Sequence, residues 1–264
     1  MDFYPQIARI YADGESCMEV RGGGRSPYLR VLRGFKIYGT SLLFVGLFVS
    51  QAVNAQEGYS IQNVEGWTVW VSDDLKAREP DATAIALKLL REQCKGVVRV
   101  LPLAARVHVK KIPIWMSLPA PGRRPRAEFH GHVDWLLKNG MDPAKAKCIE
   151  FSNISIFEKE IERMPMMLLH ELAHAYHNLI LGYDHPEVTR LYKRAKQSGE
   201  YKQVARRNRK AQLAYAMNNQ MEYFAESTEA YFGENDFYPF NRTDLKKHDP
   251  KMHDLLKRLW ENPE

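Results

Sequence analysis

Three cysteines stand in 264 residues, and no two are close enough to make a C-x-x-C pair. A cysteine-built zinc site is therefore excluded. No apolar run reaches the ~20 residues that a membrane-spanning helix needs; the longest, 37–49, has 13. There is no internal repeat, no linker that divides the chain, and no large excess of one charge. The net charge of +6 falls to +4 once residues 1–55 are set aside. Histone-like, collagen-like, disordered and polytopic membrane classes drop out. A 45% hydrophobic share with 27% charged residues is ordinary for a globular domain, and the residues after position 55 suffice for one domain with a core of its own.

What the chain does have begins near its N-terminus. Arg30, Arg33 and Lys36 precede the run IYGTSLLFVGLFV, and Ala52-Val53-Asn54-Ala55 follows with small residues at the two places a signal peptidase reads. This is the pattern of a secretory signal. It predicts a leader over 1–55, cleavage after Ala55, and a mature domain over 56–264 that is secreted or periplasmic and free of the membrane. Left uncleaved, the same run would be a single N-terminal anchor. Residues 1–29 are long and polar for the front of a signal, and a start at Val31 would give one of usual length. Export removes Cys17 and leaves Cys94 and Cys148, either as a disulfide or as two buried thiols.

The mature chain reads as α+β, with a small mixed sheet in its N-terminal part and a mostly helical C-terminal half. The β-branched and aromatic stretches 67–71 (WTVWV), 111–118 (KIPIWMSL) and 147–152 (KCIEFS) read as strands, the second as an edge because of Pro113. A helix is expected over 83–101 behind Asp81. Residues 119–126 (PAPGRRPR) form a loop, and 133–138 a short helical turn before Asn139-Gly140. After residue 152 the chain is expected to stay helical. The stretch 166–181, between Pro165 and Gly182, is apolar almost all round and reads as a buried helix. Asn219 is placed to cap a second helix running to Phe232, with Gly233 closing it. Between them, 190–210 carries nine basic residues against one acid, Glu200, and reads as a solvated face. No interleaved aromatic platform appears there, so no nucleic-acid partner is expected. Trp67, Trp70, Trp115 and Trp135 read as core, His130 and His132 as surface histidines.

The chemistry concentrates at His170-Glu171-Leu172-Ala173-His174. With nine histidines in the chain, composition predicts about 0.02 occurrences of H-E-x-x-H, and charged groups inside an apolar helix are costly without a partner. Residues i and i+4 lie on one helix face about 6 Å apart along the axis, so both imidazoles can reach one zinc ion at about 2.0–2.1 Å. Glu171 points away by about 100°, beside the metal without binding it, where a carboxylate serves as general base. A third ligand is needed. His177 lies one turn too far along, and the H-x-x-G-x-x-H extension is absent. His185 follows Gly182 without a supporting pattern. In the second helix Glu222 and Glu226 are one turn apart among aromatics, so one can bind the metal while the other orients a ligand imidazole. Glu229 fits a solvated acidic face better.

The arrangement Tyr215-x6-Glu222-Tyr-Phe-Ala-Glu226 after an HExxH helix resembles the catalytic domain of the anthrax-toxin lethal-factor-like metallopeptidases, zincins with a glutamate ligand. The resemblance runs from about Ile112 to the C-terminus. It implies that His170, His174 and Glu222 bind one catalytic Zn²⁺, that Glu171 is the base, that Tyr215 stabilises the oxyanion, and that Glu226 supports a ligand histidine. It also implies an upstream edge strand that pairs with extended substrate, a role 147–152 would fill. The toxin's large delivery domain is missing, and the stretch 236–240 (DFYPF) with the charged tail has no counterpart. The expected function is an exported zinc endopeptidase acting on a peptide or protein. The competing classes are a non-catalytic envelope-binding protein on the same scaffold, and a hydrolase of a non-peptide amide.

Overall fold

A computed structural model describes residues 56–261; the signal and cleavage site expected in 1–55 lie outside them. The chain opens with a hairpin, β1 (Tyr59–Val64) and β2 (Trp67–Ser72), turned by Glu65 and Gly66, both with positive φ. Three helices follow: α1 (Asp73–Arg78), α2 (Pro80–Val100) and α3 (Leu103–Val109). Pro80 at the first position of α2 starts it earlier than Asp81 would. Next come β3 (Ile114–Met116), β4 (Ala127–Phe129), α4 (Val133–Lys138) and β5 (Ile149–Phe151). The C-terminal half holds α5 (Phe157–Arg163), α6 (Met167–Tyr176), α7 (Pro186–Ser198), α8 (Gln220–Phe232), α9 (Arg242–His248) and α10 (Pro250–Glu261). A small hairpin, β6 (Val204–Arg206) with β7 (Arg209–Gln212), interrupts it. The fold is α+β, as its patterning reads.

The main sheet has the order β1-β2-β3-β5-β4. β2, β3 and β5 run parallel, while β1 and β4 are antiparallel on the two edges. Alternation divides its faces. Val69, Val71, Ile114, Met116, Ile149 and Phe151 are buried against the helices. The opposite face carries Trp70, Trp115, Glu150 and Glu128, the first two stacked at 5.3 Å. Two strand expectations are corrected here. The strand after Pro113 is central, because Pro113 stops just short of the ladder and contributes only its carbonyl, to Ile149 N. And 147–152 is not the edge: β4 covers it, built from a stretch too short to show a period.

Further differences are local. The basic run 190–210 is divided between α7 and the β6–β7 hairpin, since Gly199 takes a left-handed φ of 78° and ends the helix. Trp135 is 40% exposed, beneath the Arg123 guanidinium at 4.7 Å, whereas Trp67, Trp70 and Trp115 are buried. His130 is 2% exposed, its ring bonded to Glu150. Cys94 and Cys148 are both free and buried, and burial pushes their thiols up to about 12 and about 11. Among the described residues no helix is long and apolar enough to cross a membrane.

Candidate metal centre

Two helices build the site. α6 is buried on almost every side, from Met167 through Tyr176, so its polar residues have only protein to answer them. It widens into a π-helical turn over His177–Leu181 and stops at Gly182, whose φ of 78° suits glycine. α8 packs across it. Its cap is Asn219, whose Oδ1 accepts from the amides of Met221 and Glu222, both at 2.9 Å. The carboxylate of Glu222 thus stands in a pinned first turn, at the positive end of the helix.

Three donor atoms converge between these helices. His170 Nε2 and His174 Nε2 lie 3.0 Å apart, and each is 3.2 Å from Glu222 Oε2. The rings meet nearly at right angles, 84° between planes. Ligand atoms 2.0–2.1 Å from a tetrahedral zinc are separated by about 3.3 Å, close to the triangle observed. Two imidazole nitrogens and one carboxylate oxygen are also the donor set of a catalytic zinc with one position left open. The triangle fits a divalent cation for a second reason. Glu229 Oε1 lies 2.6 Å from the other ring nitrogen of His170, Nδ1. A carboxylate there accepts, so Nδ1 carries a hydrogen, and a neutral His170 ring would face Glu222 and His174 with the lone pair of Nε2. Three lone pairs directed at one point call for positive charge between them, from a metal ion or, without one, from a proton on an imidazole.

The electrostatics agree. Burial opposes a charged His170, but the bonds to Glu222 and Glu229 outweigh it and raise its pKa well above the usual value. Burial alone would raise Glu222, yet His170 and His174 pull its carboxyl far below the ordinary carboxylate range. Glu171, 5% exposed, has its pKa raised by burial, opposed by His170 and His174 and reinforced by Glu222 and Glu128. It makes no side-chain hydrogen bond among the described residues. Tyr215 is 46% exposed in a single helical turn ahead of α8. Its phenol is raised by burial and by the Glu222 carboxylate, so it keeps its proton at neutral pH.

Glu226 Oε1 is 4.0 Å from His170 Nδ1, and the hydrogen bond expected from it is made by Glu229 instead. Glu229 is fully buried, not solvated as its place in the sequence suggested. Its heptad spacing from Glu222 was the available signal: i and i+7 share a ridge, and α6 covers that ridge. His177 is fully buried between Phe224 and Tyr183, burial lowers its pKa to about 3, and it stays outside the cluster. His185 caps α7 through Nδ1.

Other neighbours carried no sequence signal. Tyr183 tilts its phenol toward the end of β4: a Cβ at Gly131 would stand 3.2 Å from its hydroxyl. Its phenol is raised by burial and by the charges of Glu171 and Glu222. Glu128, on β4, is held by Arg123 and Arg126 at 3.2 and 3.3 Å. β4 lies at the edge of the sheet and packs against α6. Comparison with protein-family models, with curated proteins and with solved structures finds no match for the chain.

Proposed function

We propose that this protein is a zinc-dependent endopeptidase, with His170, His174 and Glu222 holding the ion. The observation that carries the reading is the convergence of His170 Nε2, His174 Nε2 and Glu222 Oε2 within 3.0–3.2 Å, with a buried, unpaired Glu171 at the next position of the helix. When bound, zinc supplies Lewis-acid polarisation and brings the pKa of water at the site toward about 7. Glu171 is the base: its carboxylate takes a proton and later delivers it to the leaving amine. A pKa raised by burial suits that exchange near neutral pH. Tyr215 donates its phenolic hydrogen to the oxyanion that develops on the carbonyl.

The substrate is an extended peptide. β4 is an outer strand of the sheet, and its free backbone groups can pair with a peptide laid along that edge. Roles for His170, Glu171, His174, Tyr215 and Glu222 agree with the resemblance to the lethal-factor-like metallopeptidases. Export remains part of the proposal on the strength of residues 30–55 alone.

Metal analysis of the purified protein, followed by digestion of a peptide library with and without a chelator, tests the reading. One zinc per chain is expected, with cleavage abolished by the chelator and restored by zinc. Zinc without cleavage under any condition would overturn the peptidase and leave a binding scaffold. Products lacking peptide cleavage but showing release from another amide would move the substrate class.

A further inference from the structure

We propose that Glu229 is the residue that positions His170 for the metal, a role that rests on the metallopeptidase reading above and that the resemblance assigns to Glu226. Glu222, Glu226 and Glu229 lie at i, i+4 and i+7 along the ridge of α8 that faces α6. Glu222 and Glu229 are separated by about 10 Å of helix axis, and the His170 imidazole sits between them. Nε2 is 3.2 Å from Glu222 and Nδ1 is 2.6 Å from Glu229. Glu226 lies between the two along the axis, and its nearer oxygen stops 4.0 Å from Nδ1. The ring is thus gripped from both ends by carboxylates two turns apart, which fixes both its rotation and which nitrogen carries the hydrogen.

The cost of placing Glu229 here points the same way. It is fully buried beside the nearly buried Glu226 and Asp236. One oxygen of Glu229 and one of Glu226 find no hydrogen-bond partner among the described residues. The cations nearby are used elsewhere: Arg206 binds Asp236 at 2.9 Å, and Arg163 binds Glu160 at 2.6 Å. Replacing such groups with apolar residues is commonly neutral or stabilising, so packing does not account for Glu229. Its bond to His170 does.

The stretch 236–240, which had no functional reading in the sequence, belongs to a segment, 233–240, that closes over these acids. Gly233 lies so near Met166 that a Cβ would meet its sulfur at 2.6 Å. Asn235 N donates to Phe240 O, and Tyr238 N to Ala205 O, both at 2.9 Å, folding the segment onto the β6–β7 hairpin. Asn235 and Asp236 are buried in consequence. With water kept away, the His170–Glu229 bond acts in a low dielectric, where it holds the ring most firmly.

The test compares zinc dissociation constants of the full chain and its Glu229→Gln and Glu226→Gln variants by competition with a chromogenic chelator, far-UV circular dichroism checking the fold. Glu229→Gln is expected to weaken zinc binding by about 10–100-fold, the usual effect of losing a ligand's supporting carboxylate. Glu226→Gln should lose at most about threefold by the same reasoning, since its carboxylate stays out of reach. In the zinc-loaded wild type, ¹⁵N NMR should find His170 as the Nδ1–H tautomer with a proton protected from exchange. That signal should persist in Glu226→Gln. Wild-type affinity in Glu229→Gln, or an equal loss in Glu226→Gln, overturns the proposal while leaving the zinc reading intact. A wild type that binds no zinc removes both. If Glu229→Gln does not fold, the wild-type spectrum decides: no protected Nδ1 proton on His170 overturns the assignment.

Discussion

Replacing Glu150 by glutamine asks how the sheet beside the candidate metal centre is held. Glu150 sits in the middle of β5, 4% exposed. One of its oxygens receives Ser117 Oγ and Lys145 Nζ, and the other lies 2.8 Å from His130 Nε2. These contacts bind β3, β5 and the end of β4 to one another. Burial by itself would raise the carboxyl, but His130 and Lys145 outweigh it and bring its pKa down from 4.5 to about 2. At 1.36 kcal/mol per tenfold change in proton affinity, the stabilisation is about 3 kcal/mol. Because the folded state has the lower pKa, this contribution is complete above the unfolded value of 4.5 and disappears as pH falls toward about 2. Glu150→Gln forfeits it and leaves the nearly buried Lys145 ammonium without its counter-charge. For a domain of this size 1 kcal/mol moves Tm by roughly 2–4 °C, so the variant should melt about 6–12 °C lower at neutral pH. Melts followed by circular dichroism down an acid series should show the gap closing below about pH 4.5. A gap that stays constant down the series, or none at neutral pH, refutes the coupling.

Glu171→Gln should retain one zinc per chain while peptide cleavage falls below detection; normal turnover in a metal-replete variant would reassign the base. Glu222→Ala removes the oxygen corner of the triangle, so metal analysis should find the site largely empty after dialysis, and full zinc content would put the third ligand elsewhere. Tyr215→Phe should lower kcat by about 10²–10³ with zinc affinity unchanged, because its hydroxyl serves the oxyanion rather than the ion; a rise in KM alone would make it a substrate contact. Asn219→Ala deletes the acceptor for two amides and should cost about 1 kcal/mol, read as a lower denaturation midpoint. Zinc affinity should fall with it, and an unchanged affinity would separate the cap from the ligand.

The parts of the centre that could be read from the sequence are those set by one helix at a time. His170 and His174 share a face through helical geometry alone, and the Asn219 cap and Gly182 stop mark their helices by residue type. Which carboxylate meets which imidazole depends on how α8 crosses α6, and three acids on one ridge offer no local means of choosing. The bond from His170 goes to Glu229, although the one-turn spacing from Glu222 points to Glu226. Edge and centre of the sheet were hidden for a similar reason. Strand order is a tertiary property, and β4 has only three residues, too few for alternation to declare itself. His130 looked like a surface residue because its partner, Glu150, comes from the next strand. The β6–β7 hairpin hides in a basic stretch whose composition suits a solvated helix equally well.

The crossing of α6 and α8 has a bearing on how an ion would arrive. Leu168, Leu172 and Tyr176 of α6 and Phe224 of α8 are buried in the apolar core, so each of the two helices is anchored by packing of its own. On the zinc reading proposed above, metal uptake is expected to be a docking event on a finished receptor, unlike the zinc fingers that stay unfolded until loaded. Its gain in thermal resistance should follow mass action, about 2.7 kcal/mol when free zinc stands at a hundred times its dissociation constant. A chelated sample should remain a folded, refillable vessel.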